Sequence, residues 1–171
     1  MDEIEIKILE INVENLRSIL KKNKAKFVKK VFQKNMFYAN EHTRKIGAYL
    51  RIRREGNNAF LTVKEKKRIV NNHVIRAEHE MPVDFETTTK IVELLGLSKV
   101  GISEVKREYW SIYGCSVEFC HIPGVPIFLE IEGNEKNIQR VAKLLGYSKK
   151  DYFTGFILKR YGITSKNRVF K

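Results

Sequence analysis

The segment EIEIK at residues 3–7 alternates charged residues with isoleucine. Because successive side chains of a β-strand point to opposite faces, the isoleucines share one face of a predicted strand and the charged residues share the other. The charged set is Glu3, Glu5 and Lys7. One such strand alone is typical of an ordinary sheet with a solvated face. Its meaning therefore depends on whether other strands repeat the pattern.

A strand with two glutamates on one face, followed by an amphipathic helix, is predicted at three places in the chain. Two of the helices contain matching sequences, TKIVELLGLSK (89–99) and QRVAKLLGYSK (139–149). These helices need an apolar sheet face to cover, so the glutamates are predicted to point to the opposite face. The units are Glu3/Glu5 before a helix at 12–23, Glu78/Glu80 before a helix at 85–95, and Glu130/Glu132 before a helix from Asn134 to Leu145; the residues expected under the helices are Ile4/Ile6, His79/Met81 and Leu129/Ile131.

Two further strands carry cations in the same alternating way. Arg51 and Arg53 alternate with apolar residues in a strand at 47–55, and the turn GNNA connects it to a strand at 60–67. In that second strand the polar positions are Thr62, Lys64 and Lys66. If helices cover the apolar faces, these cations share a face with the glutamates. The remaining predicted strands lie at 27–37, 73–83, 106–114, 115–121 and 127–133.

About eight strands with one charged face favour a closed antiparallel barrel with helices packed on the outside. We therefore predict an α+β fold, a closed eight-stranded antiparallel β-barrel, in a single domain spanning residues 1–171. A charged barrel interior is costly unless the charges are paired or hold a ligand. A polyphosphate with a divalent metal ion satisfies both signs, because its oxygens bind Arg and Lys and the metal ion binds carboxylates.

The composition agrees with a polyanionic ligand and excludes several classes of protein. Lys and Arg number 33 against 20 Asp and Glu, a net charge of +13. There is no apolar run long enough for a membrane span, and we expect no secretory signal because the first residues are acidic and begin a predicted strand. The two cysteines, Cys115 and Cys120, are expected to make neither a disulfide framework nor a zinc site. We expect a cytoplasmic protein without a membrane partner. No RNP, KH or helix-turn-helix pattern indicates nucleic acid as a partner.

The ordered set of strand motifs resembles the CYTH superfamily, the triphosphate tunnel metalloenzymes. EIEIK resembles its ExExK signature, which alone would be weak evidence, but the resemblance covers most of the chain. It is closest to the branch of class IV adenylyl cyclases and thiamine triphosphatases. The other matching motifs are QKNMFY (33–38), YLRIR (49–53), LTVKEK (61–66), RAEHE (76–80) and FLEIEG (128–133).

The resemblance implies a site for a triphosphate and for Mg²⁺ or Mn²⁺. The metal ligands it implies are Glu3, Glu5, Glu78, Glu80, Glu118, Glu130 and Glu132; the residues that would bind phosphate oxygens are Lys7, Arg51, Arg53, Lys64, Lys66 and Arg107. Glu5, Lys7 and Arg53 are the candidate catalytic residues. The alternative role for each glutamate pair is to form salt bridges with the cations of the barrel interior, and Lys66 and Arg76 could equally be solvated at a barrel end.

Three positions depart from the family pattern. Cys120 stands where many members carry an Asp, and Glu118, two residues earlier on the same face, is the candidate to replace it. Asn35 also stands where an Asp is usual. The family's Lys-x-Arg strand is matched only in part, which leaves open whether Lys106 or Arg107 faces the interior.

The reaction is predicted to be hydrolysis of an inorganic, nucleoside or thiamine triphosphate. The alternative is a class IV adenylyl cyclase that converts ATP to cyclic AMP and pyrophosphate, and a contrasting alternative is a non-catalytic polyphosphate or nucleic-acid binder. The sequence leaves open whether the chain forms a homodimer. Near the C-terminus, YFTGFILKRYGI is expected to pack as helix or strand, and SKNRVFK to form a frayed basic tail.

Overall fold

Ten strands and five α-helices make up the fold in the computed structural model, which describes residues 2–170. Eight strands close into an antiparallel barrel in the order β1-β9-β8-β7-β2-β3-β4-β6, and β6 pairs with β1. The predicted α+β barrel is thereby confirmed. The strands are β1 (Asp2–Ile8), β2 (Lys26–Ala39), β3 (Tyr49–Glu55), β4 (Asn58–Lys64), β5 (Arg68–Val70), β6 (His73–Val83), β7 (Ser98–Ile112), β8 (Cys115–His121), β9 (Phe128–Glu132) and β10 (Asn167–Arg168); the helices are α1 (Val13–Lys22), α2 (Glu41–Lys45), α3 (Phe85–Leu94), α4 (Glu135–Leu144) and α5 (Ile157–Arg160), with a 3-10 turn at Lys149–Asp151.

Each of the three predicted helices follows a residue whose side chain caps its first turn. The side chains of Asn12, Asp84 and Asn134 each accept a hydrogen bond from the backbone N–H three residues later, at the start of α1, α3 and α4. Such caps satisfy a backbone donor that has no partner inside the helix. Each of the three Glu-x-Glu strands is therefore followed by a helix, as the repeat predicts.

The largest hydrophobic core lies between the outside of the barrel and the helices α1 and α4. Ile6 of β1 and Leu129 and Ile131 of β9 are buried there against Leu16 of α1 and Ile138 of α4. Complete burial of such a side chain contributes roughly 1.5–3 kcal/mol. This packing turns the apolar face of β1 and β9 outward and leaves their charged face inside the barrel.

Helix α3 packs differently from α4, although their sequences match. Its buried residue, Val92, contacts Tyr38 and Ile52, and α3 lies over β3 and β4. The expectation that His79 and Met81 of β6 supply its apolar face is wrong, since both are exposed. The helix crosses from the end of β6 onto the neighbouring strands, so the outer face of β6 stays open to solvent at His79 and Met81.

Residues 165–170 are attached to the barrel, so the expectation of a frayed tail is wrong for them; Lys171 lies outside the described residues. Strand β10 pairs in parallel with β7, where Arg168 lies opposite Ser103. Further along, the backbone N–H of Phe170 donates to a carboxylate oxygen of Glu104 at 2.8 Å. Among the described residues, every helix is too short or too polar to pass through a bilayer.

Candidate active site

The three Glu-x-Glu strands are neighbours in the barrel, in the order β6-β1-β9. On one edge of β1, Glu3 lies opposite Arg76 of β6, and on the other edge Glu5 lies opposite Glu132 of β9. The glutamates thus form one continuous surface inside the barrel, here called the acidic wall and consisting of Glu3, Glu5, Glu78, Glu80, Glu130 and Glu132. Strand β4, next to β6, and strand β3, next to β4, carry cations.

A cavity of about 1110 Å³ occupies the barrel interior. The structure brings nearly all of the predicted site residues to its lining, with the exception of Lys66. Strand β4 ends at Lys64, so the alternation on which the prediction for Lys66 rests does not extend that far, and its side chain is exposed. The predicted residues that line the cavity are Glu3, Glu5, Lys7, Arg51, Arg53, Lys64, Glu78, Glu80, Arg107, Glu118, Glu130 and Glu132.

Cations of β3 and β4 bind the glutamates of β6 across the strands. Arg51 donates to Glu78 at 2.9 Å, and Arg53 donates to Glu80 at 2.8 Å. Lys64 lies 2.5 Å from the other carboxylate oxygen of Glu78. The salt-bridge role considered for this glutamate pair is therefore the one the structure displays.

Lys64 also joins β6 to β1, because its Nζ lies 3.1 Å from Glu3. Burial raises the pKa of Glu3, with a smaller opposing effect from Lys64. For Glu78, a hydrogen bond with Glu3 and the charges of Lys64 and Arg51 outweigh burial and lower the pKa. The two carboxylates therefore differ in proton affinity although they share one ammonium group.

The sequence does not decide whether Lys106 or Arg107 faces the barrel interior, and in the structure it is Arg107. Its guanidinium contacts Glu118 and lies 2.7 Å from Glu130, whereas Lys106 is exposed on the outer surface. Glu130 is also 3.3 Å from Lys7. Against the effect of burial, Arg107 and Lys7 hold the pKa of Glu130 far below its ordinary value, so this carboxylate is ionised.

Cys120 lies beside these acids as a neutral thiol. Burial raises its pKa well above the ordinary thiol value, and its Sγ lies 3.4 Å from a carboxylate oxygen of Glu130. Ligand atoms of Glu118, Cys120 and Glu130 lie within 4.8 Å of one another, the one such group among residues 2–170. Arg107 contacts both carboxylates, so a metal ion bound by this group would share them with the guanidinium.

Glu132 is the carboxylate of the acidic wall that most requires added positive charge. Among residues 2–170, no Lys or Arg nitrogen lies within 4 Å of its carboxylate. Burial and the charges of Glu3, Glu118 and Glu5 raise its pKa to about 7. Glu3, Glu5 and Glu132 offer the hard oxygen ligands that Mg²⁺ and Mn²⁺ prefer, so the donor set fits such an ion, although these side chains must move to converge on it.

Arginines of the cavity have unused donors that fit a polyanion. The Nε groups of Arg51, Arg76 and Arg107 are buried and have no hydrogen-bond partner. A buried donor without a partner is costly, and phosphate oxygens are suitable acceptors for a guanidinium. Arg76, left undecided from the sequence, lies inside the cavity, where it donates to the hydroxyl of Tyr49 at 3.1 Å.

Several lining residues were missed by the sequence analysis. Glu55 continues the alternation of Arg51 and Arg53 and accepts a hydrogen bond from the buried Gln33 at 2.7 Å. Glu55 lies two residues after Arg53, so the alternation in β3 would have predicted it if continued by one step. By contrast, no local pattern indicates that Tyr109, whose hydroxyl accepts from Gln33 at 3.0 Å, closes the same side of the cavity.

The family assignment follows from a match that covers most of the chain. The CYTH domain matches residues 1–156. The chain belongs to the CYTH domain family. Members of this family are metal-dependent triphosphatases or adenylyl cyclases, and the chain belongs to this class of enzymes. The resemblance noted in the strand motifs is therefore confirmed.

Known proteins of similar sequence or structure agree with the CYTH assignment. A Methanocaldococcus jannaschii protein, named as a candidate adenylate cyclase, is 29% identical over 174 residues, covering 100% of this chain and 95% of its own. A conserved hypothetical protein from Pyrococcus furiosus has a TM-score of 0.76 at 26% identity, covering 92% of this chain and 98% of that one. A Hippeastrum protein, described as a candidate adenylyl cyclase with a dominant triphosphatase activity, has a TM-score of 0.63 at 18% identity and covers 94% and 88% of the two chains.

Proposed function

We propose that this chain hydrolyses the terminal phosphoanhydride bond of a triphosphate bound inside the barrel, with the help of Mg²⁺ or Mn²⁺. The observation that carries the proposal is the uncompensated acid at Glu132, which faces Glu3 and Glu5 in a cavity that also holds arginines with unused donors. Neither sign of charge is fully satisfied by the protein. A triphosphate and a divalent cation together would satisfy both.

The cations of β3 and β4 are suited to hold the phosphate chain. Arg51 and Arg53 can bind phosphate oxygens in a bidentate manner, whereas Lys64 acts as a point charge. On β7, which β2 separates from β3, Arg107 presents a buried Nε without a partner. When a triphosphate binds, these cations would replace part of their contacts with glutamates by contacts with phosphate. Before binding, the ion pairs with the glutamates would hold the cations in position.

The metal ion is expected at the acidic wall, held by Glu3, Glu5 and Glu132. A divalent ion bound there would neutralise charge on the phosphoryl oxygens. Glu5, which contacts Lys7, would accept a proton from the attacking water. Lys7 and Arg53 would stabilise the negative charge that develops as the bond from the bridging oxygen to the terminal phosphorus breaks and orthophosphate forms.

The second candidate is the cyclase reaction, which the name of the Methanocaldococcus relative favours. In that reaction the ribose 3′-hydroxyl of ATP attacks the α-phosphorus, and cyclic AMP and pyrophosphate leave. Phe37 and Tyr49 line the cavity with their rings 5.8 Å apart, and such a pair can contact a base. The same charged groups serve both reactions, so the position of the nucleophile distinguishes them.

A product-resolved assay tests the proposal. The chain is incubated with Mg²⁺ or Mn²⁺ and with ATP, thiamine triphosphate or tripolyphosphate, and orthophosphate is separated from cyclic AMP and pyrophosphate. We expect orthophosphate, and we expect the double variant Glu3→Gln/Glu5→Gln to lose metal-dependent turnover. The matched control is Glu10→Gln/Glu14→Gln, which alters two exposed carboxylates outside the barrel. Cyclic AMP as the main product would replace the proposal with the second candidate.

A further inference from the structure

The C-terminal strap, residues 165–170, lies outside the CYTH match but contributes to the wall of the barrel. Its strand β10 pairs with the first part of β7, which β8 does not reach. The backbone N–H of Ile102 donates to the carbonyl of Lys166 at 3.0 Å on one side of Arg168, and Phe170 is held by Glu104 on the other. Arg168 is therefore fixed between two backbone anchors.

Contacts of the Phe170 ring and a close backbone approach strengthen this attachment. The ring centroid lies 4.2 Å from the Lys106 ammonium and 5.0 Å from the ring centroid of His121. At the other end, a Cβ atom on Gly101 would lie 2.6 Å from the carbonyl oxygen of Lys166, so the strap approaches β7 closely because residue 101 has no side chain. The strap is a built part of the barrel surface.

Arg168 projects from this strap into the cavity lining without a counter-ion. Its Nη1 donates to the Ser165 carbonyl at 3.0 Å, and its Nε is buried with no partner. Within the described chain, no carboxylate oxygen lies within 4 Å of the guanidinium. Arg51 and Arg107, by comparison, are each paired with two glutamates.

The neighbours of Arg168 across β7 and β2 are uncharged. It lies opposite Ser103 on β7, and Ser103 in turn lies opposite Asn35 on β2. Asn35 is buried and neutral, and its Nδ2 donates to the Ser103 carbonyl at 3.3 Å. No carboxylate therefore balances Arg168 from these two neighbours, and its charge is available to a ligand.

We propose that Arg168 is a further substrate-binding residue, which binds a phosphate group of the triphosphate from the C-terminal strap. This inference rests on the proposed function in one respect, because it requires a triphosphate inside the barrel. It goes beyond that function by assigning a phosphate contact to a segment that the CYTH domain match does not include. The strap then makes the substrate site dependent on the last residues of the chain.

Calorimetric titration of tripolyphosphate in the presence of Mg²⁺ tests the assignment. We expect Arg168→Gln to bind about tenfold more weakly than the parent chain, as for the loss of one charge-assisted hydrogen bond, and Arg168→Lys to recover part of the affinity. The matched control is Lys159→Gln, which removes one exposed cation from α5 and should bind like the parent.

A second variant separates ligand binding from support of the strap. Phe170→Ala weakens the attachment of the strap but keeps the charge of Arg168, and the melting temperature without ligand reports the structural effect of each variant. The assignment is overturned if Arg168→Gln binds like Lys159→Gln, or if Arg168→Lys recovers nothing while Phe170→Ala weakens binding equally. Failure of the parent chain to bind tripolyphosphate would instead overturn the proposed function, and this assignment with it.

Discussion

Replacing Glu132 by glutamine should stabilise the protein at neutral and alkaline pH. Burial and neighbouring carboxylates raise the pKa of Glu132 from its ordinary value of 4.5 to about 7 in the folded chain. Between these two values the folded chain keeps a proton that the unfolded chain loses, so the stability falls as the pH rises through this window. Above about pH 7 the full cost of an ionised Glu132 remains, and glutamine removes it.

The size of the effect follows from the pKa of Glu132. Each pKa unit corresponds to about 1.4 kcal/mol, which gives an upper limit of about 3 kcal/mol for this residue. Because the side chain is partly exposed, water screens the charge, and we expect about 2 kcal/mol. For a chain of this length that corresponds to a rise of about 4–8 °C in the melting temperature.

Thermal unfolding measures this effect when the parent and Glu132→Gln are compared at about pH 5 and about pH 8. EDTA is present to remove divalent ions. The two proteins should differ little at the lower pH, and the variant should melt at the higher temperature at the upper pH. Glu10→Gln, at an exposed carboxylate, is the matched control and should show no such pH-dependent gain. An equal difference between parent and Glu132→Gln at both pH values would refute the reasoning.

Three other predictions test the ion pairs, the strap and the binding of ligands. Arg107→Ala leaves Glu118 and Glu130 buried without their guanidinium, so it should lower the free energy of unfolding by about 3–5 kcal/mol in denaturant titrations; a loss below about 1 kcal/mol would contradict this. Gly101→Ala should displace the Lys166 carbonyl and increase deuterium uptake in residues 165–170, and unchanged uptake would show that the strap tolerates the methyl group. Tripolyphosphate with Mg²⁺ should raise the melting temperature of the parent, because a ligand of the folded state contributes about 2.7 kcal/mol at one hundred times its Kd; no shift would contradict binding.

Side-chain alternation accounts for how much of the site could be predicted from the sequence. It assigns Glu3, Glu5 and Lys7 to one face of a strand, and the same rule places the glutamates of β6 and β9. It says nothing about which strands are neighbours, because pairing depends on contacts between distant parts of the chain. The continuous acidic wall, which requires the order β6-β1-β9, is therefore a finding of the structure.

The errors arise where a strand boundary or a distant contact decides the outcome. Strand β7 begins at Ser98, whereas the predicted strand begins at residue 106. Gly101, with Ser98 and Ser103 on either side, is typical of a loop, which explains the late predicted start. Alternation puts Arg107 on the same face as Ser103 and Val105, but only the structure shows that this face lines the cavity, because the other face carries Glu104, Lys106 and Glu108. Arg168 could not be found in this way, since β10 has only two residues and is held in place by β7.

The most direct test of the central claim is a titration of the parent chain with tripolyphosphate in the presence and absence of Mg²⁺. The proposed function predicts one binding site that needs the metal ion for tight binding, because Glu3, Glu5 and Glu132 repel the phosphates until a divalent cation lies between them. It also predicts little dependence on salt beyond that of a short anion. Binding that ignores Mg²⁺ and weakens steeply with salt would be typical of a nonspecific polyanion binder and would contradict the account.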